Sequence, residues 1–156
     1  MKLLNDTLLD ELAAQARQSP RLRAHYNLHD DLGEGVHRLA IAMEPGTLIV
    51  PHRHHHSWEL LLPLRGRFTV LLFDDSGAVQ ERIELGAGSS VVEFPAGTWH
   101  ALLARDAGSV LFELKLGPYT PLGEDDVMAW SKGVEVATLN AWYAKAQLGD
   151  RYSAPR

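Results

Sequence analysis

The chain of 156 residues contains no cysteine. That absence excludes a disulfide framework and any thiolate metal site, so a bound metal would have to be held by nitrogen and oxygen. Basic charge is also scarce. Fifteen Lys and Arg stand against twenty Asp and Glu, a formal net charge of −5, which offers no electrostatic footprint for nucleic acid or an anionic membrane. Long apolar runs are missing too. No segment approaches the ~20 apolar residues of a membrane span, and the N-terminal "MKLLNDTLLDELAAQ" is broken by Asn5, Asp6, Asp10 and Glu11, unlike the apolar stretch of a signal peptide. A cytoplasmic protein is expected.

What the sequence does contain is consistent with one domain. The apolar fraction is 46% and the charged fraction 22%, ordinary values for a globular chain of this length. Leu4, Leu8 and Leu12, with Leu9, Ala13 and Ala16, recur at helical spacing; Asn5 or Thr7 can cap that helix and Ser19-Pro20 ends it. From Val36 the period changes to short β-rich runs, "VHRLAIAM", "TLIV", "ELLLPL", "RFTVLLF", "VQERIEL", "SSVVEF", "HALLA" and "SVLFELKL", separated by Gly- and Asp-rich turns. Eight or nine short strands at this spacing predict a sandwich or barrel. "VATLNAWYAKAQL" predicts a C-terminal helix. The expected layout is a helix over 1–19, a connecting segment over 20–35, a metal-binding barrel over 36–117 and a helical extension over 118–156. "ELLLPL" and "RFTVLLF" are apolar at nearly every position, so both faces of these strands should be covered, one by the barrel interior and the other by the N-terminal helix or a second subunit. A homodimer is the expected assembly.

The chemistry concentrates in "PHRHHHSWE" and "PAGTWH". On an extended chain His52 and His54 share a face, roughly 6.5–7 Å apart, close enough for two imidazoles to meet one cation. Glu59 lies an odd number of residues beyond His54, so the chain must turn within "HHSW" for its carboxylate to rejoin them; His55 and His56 then sit at the turn rather than on the metal. His100 follows the Pro95-Ala96-Gly97 turn and opens the next strand. Three imidazoles and a carboxylate suit one divalent ion among zinc, iron, nickel, copper or manganese.

Gly46, His52, His54, Glu59 and Gly66 fall at the spacing of the first cupin motif, and Pro95, Gly97 and His100 at that of the second. The glycine that normally opens the second motif stands one place early, as Gly88, and Ala104 replaces its closing asparagine. "SPRLRAHYNLH", "PHRHHHSWELL" and "GPYTPL" further resemble the WbuC-type cupin-fold metalloproteins, over most of residues 1–130. The resemblance implies an all-β small cupin, a jelly-roll or double-stranded β-helix barrel with an N-terminal and a C-terminal helix. It also implies metal ligation by His52, His54, Glu59 and His100 and a link to surface-polysaccharide biosynthesis.

Arg21, Arg23, Asn27 and His29, crowded ahead of the barrel, are candidates for substrate contact, since arginine pairs geometrically with carboxylate or phosphate. Glu113 and Lys115 share a strand face and are candidates for acid–base work if that face is interior. Trp99 precedes a ligand and should face away from it, into packing. The expected activity is a metal-dependent isomerisation or epimerisation of a small polar or anionic substrate such as a sugar or sugar nucleotide. Iron-dependent dioxygenation and a non-catalytic metal-dependent sensor are the alternatives.

Overall fold

The computed structural model describes residues 1–154. Helix α1 spans Asp6–Gln18; the Asn5 side chain accepts the Leu8 N–H at 3.0 Å at its N-terminus, and Ser19 closes its other end. Eight strands follow: β1 Arg23–Asn27, β2 Val36–Met43, β3 Glu59–Arg65, β4 Phe68–Phe73, β5 Val79–Leu85, β6 Val92–Phe94, β7 Trp99–Ala104 and β8 Ser109–Leu116. Two short 3₁₀ turns and helix α2, Val136–Tyr143, complete the chain. A five-stranded antiparallel sheet of order β1-β2-β8-β3-β6 faces a three-stranded one of order β5-β4-β7. This is the small cupin jelly roll that the strand spacing and motifs predict.

Strand parity decides what each sheet buries. Inward residues of both sheets, among them Leu61, Phe68, Val70, Leu85, Phe94, Leu102 and Leu111, form the core between them. On the outer face of the larger sheet, Leu9, Leu12 and Ala16 of α1 pack on Ala40, Ala42 and Val110. The alanines of β2 have no bulk to hold the helix away.

The outer cover of β4 differs from expectation. Leu71 and Phe73, with Trp99, Ala101 and Leu103 of β7, pack against Leu139 and Tyr143 of α2 and against Met128 and Ala146. The C-terminal region, rather than α1 or a second subunit, therefore covers this sheet. It is pinned there by Tyr143 Oη, which donates to the Ile49 carbonyl at 2.9 Å, by Asn140 Nδ2 donating to Thr47 O at 3.1 Å, and by Arg82, which reaches the carbonyls at the end of α2. Burial on both faces explains why β4 reads as a nearly continuous apolar run.

Other details also depart from the sequence reading. "RAHYN", within the segment expected to be a connection, is strand β1, paired along its length with β2. "TLIV" forms no strand, and α2 ends at Tyr143 rather than running through Leu148. The β3–β4 turn requires its glycine. Gly66 has φ +72, and a Cβ there would collide with Ser109.

Candidate metal centre and cavity

His52 lies outside the regular strands but pairs with His100 through both backbone bonds, His52 N–H to His100 O at 3.0 Å and His100 N–H to His52 O at 2.8 Å. This bridge fixes two rings side by side, with centroids 4.3 Å apart. His54 follows, its ring 5.2 Å from His52 and 6.1 Å from His100. One ring nitrogen from each of the three imidazoles lies within 4.8 Å of the others, a cluster able to hold a metal ion.

Backbone carbonyls set the ring orientations. His52 Nδ1 lies 2.8 Å from Val50 O and His100 Nδ1 lies 3.0 Å from Thr98 O. A carbonyl only accepts, so both Nδ1 atoms carry a proton and Nε2 is the nitrogen left for ligation in each ring. Burial, with the neighbouring His100 assisting, holds the His52 pKa down at about 3, and burial also lowers that of His54; both are neutral near pH 7, the form that binds metal.

Glu59 opens β3 and is 2% exposed. Its Oε1 is 3.3 Å from His54 Nε2 and its Oε2 is 2.8 Å from His100 Nε2. Burial works against the Glu59 charge, but His100 and Lys115 more than offset it and hold the carboxyl below its usual range. Burial likewise opposes charging of His100, yet the Glu59 carboxylate raises its pKa. An unprotonated Nε2 facing a carboxylate oxygen at that distance is repulsive, so a proton or a metal cation must lie between them. The donor set fits a divalent transition metal: imidazole nitrogens, one carboxylate and no sulfur.

Register carries two further groups inward. Lys115 is opposite both Glu59 and His37, and Glu113 is opposite both Leu61 and Leu39. Lys115 Nζ is 2.8 Å from Glu113 Oε1 and 3.6 Å from Glu59 Oε1. Burial raises the Glu113 pKa despite Lys115. Burial disfavours the Lys115 charge as well, but Glu113 and Glu59 outweigh it and raise its pKa.

These groups open onto a cavity of about 920 Å³, at the upper end of the range for small-molecule sites. Arg21, Arg23, Asn27 and His29 all line it, together with Glu113, Lys115 and the histidine cluster. Asn27 Oδ1 is buried and lacks a hydrogen-bond partner. Lining residues that escaped sequence reasoning include His25, His37 and Tyr119. The first two carry a legible signal, since Arg23-x-His25-x-Asn27 and His37-x-Leu39-x-Ile41 alternate with the period of a strand. His29 and His37 stack at 4.2 Å with rings 7° from parallel; His29 Nδ1 accepts the Arg38 N–H at 3.1 Å, and His37 Nε2 donates to Leu32 O at 3.1 Å.

His55 and His56 are exposed and lie away from the cluster. They line a smaller cavity of about 380 Å³ beyond His54, and His55 Nε2 approaches Asp126 Oδ1 at 2.8 Å. Trp99 faces the α2 side, where its Nε1–H donates to Asp75 Oδ1 at 3.0 Å and Arg53 stacks on its ring at 4.2 Å.

Solved structures share the fold at low sequence identity. The protein TT1209 from Thermus thermophilus is 22% identical, with a TM-score of 0.55 over 74% of this chain and 97% of its own. A protein of Acidithiobacillus ferrooxidans to which sugar phosphate isomerase activity has been ascribed is 19% identical, with a TM-score of 0.53 over 74% of each chain. KdgF from a Halomonas species is 19% identical, with a TM-score of 0.52 over 65% of this chain and 84% of its own. No curated protein matches the sequence. No described helix is long and apolar enough to cross a membrane. The model of a domain of unknown function, DUF6016, matches residues 4–85, just over half of the chain, and the protein belongs to that family.

Proposed function

We propose that this protein is a metal-dependent enzyme that moves a proton on a small anionic substrate, with His52, His54, Glu59 and His100 holding one divalent transition ion. The observation that carries this reading is the half-buried Glu113–Lys115 pair beside the histidine cluster, facing a cavity large enough for a substrate. When bound, the metal would supply Lewis acidity, polarising a carbonyl or hydroxyl oxygen. The remaining work falls to the chain itself. A carboxyl raised by burial, as at Glu113, can take a proton from carbon next to a carbonyl and return it near neutral pH. Lys115 holds Glu113 in place and keeps the excess negative charge of Glu59 and Glu113 compensated. Arg21 and Arg23 would orient an anionic group at the other end of the cavity, and Asn27, opposite Leu39, would meet the substrate at the level of Glu113. The net reaction is an isomerisation or epimerisation.

The WbuC-like segments, and the polysaccharide link they carry, make a sugar phosphate or sugar nucleotide one substrate class to test. Incubation of metal-loaded protein in D₂O with glucose 6-phosphate and with dihydroxyacetone phosphate, followed by NMR, should show deuterium entering the carbon next to the carbonyl if such a compound is the substrate. Glu113→Gln should abolish exchange and leave metal content unchanged. Exchange at the wild-type rate in Glu113→Gln would remove Glu113 from the chemistry.

We infer further that two copies associate through the outer face of β3 and β8. Leu60, Leu62 and Leu64 point away from the core, and Leu64, Leu116 and Val36 are 37%, 37% and 38% exposed; α2 packs on the other sheet, and α1 covers this face only around Ala40, Ala42 and Val110.

A further inference from the structure

His29 and His37 take no part in the proton transfer proposed above, yet both rings line the cavity and are only 5% and 2% exposed. The pairing of β1 with β2 continues past Asn27, where the Leu28 N–H donates to Arg38 O at 2.7 Å, and sets the two histidines side by side. His37 stands opposite Lys115, and Lys115 opposite Glu59. Four neighbouring strands thus carry one polar row, His29, His37, Lys115 and Glu59, which ends at the histidine cluster. Two strand spacings, about 10 Å, separate the His37 and Glu59 backbones, a gap that one sugar ring with its hydroxyls can span. The adjacent row sets Asn27 and Glu113 beside Leu39 and Leu61.

The backbone fixes opposite roles for the two rings. The Arg38 N–H is a fixed donor aimed at His29 Nδ1 at 3.1 Å, and the Arg38 carbonyl, 3.2 Å from the same atom, already takes the Leu28 N–H. His29 Nδ1 is therefore an acceptor, and Nε2 carries the proton. In His37 the Leu32 carbonyl takes Nε2–H at 3.1 Å. Burial, followed by the neighbouring His29, holds the His37 pKa below its ordinary value, so Nδ1 keeps a bare lone pair near neutral pH. Gly117 packs against the Nε2–Cδ2 edge of that ring, where a Cβ would come within 2.7 and 2.9 Å, leaving the Nδ1 edge to the cavity. Neither His29 Nε2 nor His37 Nδ1 has a hydrogen-bond partner among the described residues.

We propose that these two nitrogens form a subsite that reads a ligand hydroxyl, His29 Nε2–H donating to its oxygen and His37 Nδ1 accepting from its O–H. The Asn27 amide and the Glu113 carboxyl of the adjacent row supply partners for further hydroxyls, so the ligand class is a polyhydroxylated compound. A ketone or ether oxygen would leave His37 Nδ1 unpaired, an ammonium would leave His29 Nε2–H unpaired, and a hydrocarbon would leave both. The subsite rests on the cavity being the substrate site proposed above, but not on the metal.

The test uses the full chain, with metal content measured on the same sample. Side-chain ¹⁵N spectra near pH 7.5 should place the ring proton of both histidines on Nε2 and none on Nδ1. Calorimetric titration with glucose 6-phosphate, mannose 6-phosphate and UDP-glucose should find at least one that binds about tenfold or more tightly than hexyl phosphate. His29→Asn keeps an acceptor for the Arg38 N–H and His37→Gln keeps a donor for Leu32 O, but each removes the nitrogen that faces the cavity. Each should weaken the hydroxylated probe by roughly three- to tenfold and leave hexyl phosphate unchanged. His29→Gln and His37→Asn have the converse chemistry and should melt lower while retaining most of the preference. A proton on Nδ1 of either ring, no hydroxylated probe preferred over hexyl phosphate, or an undiminished preference in His29→Asn and His37→Gln would each overturn the proposal. A preference in protein that binds no metal would leave the subsite standing and defeat the metal-enzyme reading. Deuterium exchange by metal-loaded protein with no such preference would do the reverse.

Discussion

Replacing Lys115 with methionine tests the electrostatics of the cavity directly. In the folded protein Lys115 Nζ is 2.8 Å from one Glu113 oxygen and 3.6 Å from one Glu59 oxygen, and its side chain is 19% exposed against 12% and 2% for the two glutamates. Methionine keeps much of the volume and removes the charge, leaving two buried carboxylates without their shared cation. Breaking a buried pair in this way costs about 3–5 kcal/mol. For a chain of this size that is a fall in Tm of roughly 6–20 °C in metal-free protein. The penalty should depend on pH, with a definite sign. Burial already holds the Glu113 pKa above the ordinary carboxylate value, and removing Lys115 takes away the cation that opposes the rise. A carboxyl whose folded pKa is raised loses stability as pH climbs from the unfolded value through the folded one, because it must then ionise while buried. The deficit of Lys115→Met should therefore be smallest near pH 5 and largest near pH 8. Adding Glu113→Gln to it should recover much of the loss. Calorimetric or circular-dichroism melts of metal-stripped wild type and variants from pH 5 to 8 provide the measurement. Melting curves that coincide at every pH would refute the buried arrangement of these three groups.

Other consequences are independent of this triad. Leu139→Ala removes the α2 residue packed under Leu71 and Leu103 and should cost about 2–5 kcal/mol in denaturant unfolding without altering metal content, whereas loss of metal would mean that α2 supports the ligands directly. Gly66→Ala, at φ +72 and against Ser109, should cost more than ~1 kcal/mol, and an unchanged midpoint would show that the turn has room to relax. Sedimentation at micromolar concentration should report a dimer that Leu62→Lys converts to monomer; a monomeric wild type would remove the β3 face as an interface.

The parts of this structure written in local pattern are readable from the sequence. The α1 spacing and cap, the strand-rich middle and the paired apolar runs all follow from periodicities that burial imposes. His52, His54, Glu59 and His100 are legible because fixed-spacing turns bring them together, and the His52–His100 bridge achieves this without the regular strand that an extended spacing would require. Strand β1 is less legible. Arg23, His25 and Asn27 make its inner face polar, so it lacks the apolar signature of a core strand and reads as a connection. The cover on β4 is illegible for another reason. α2 is separated from β4 by more than sixty residues, and nothing local distinguishes a helix that packs on one sheet from a helix that packs on the other. The mixed lining of the cavity, with His25, Asn27 and Glu113 facing Leu39, Ile41 and Leu61, also depends on which side of each strand faces inward.

The central claim is that His52, His54, Glu59 and His100 together hold one transition metal. It is tested most directly by elemental analysis of the protein purified without a histidine tag, alongside His52→Ala, His100→Ala, His55→Ala and the His52→Ala/His54→Ala double variant. The account predicts close to one equivalent of a divalent transition metal in the wild type and in His55→Ala, and loss of most of it in the other three. Stoichiometric metal in the double variant, or none in wild-type protein supplied with zinc, iron, nickel and manganese, would contradict it.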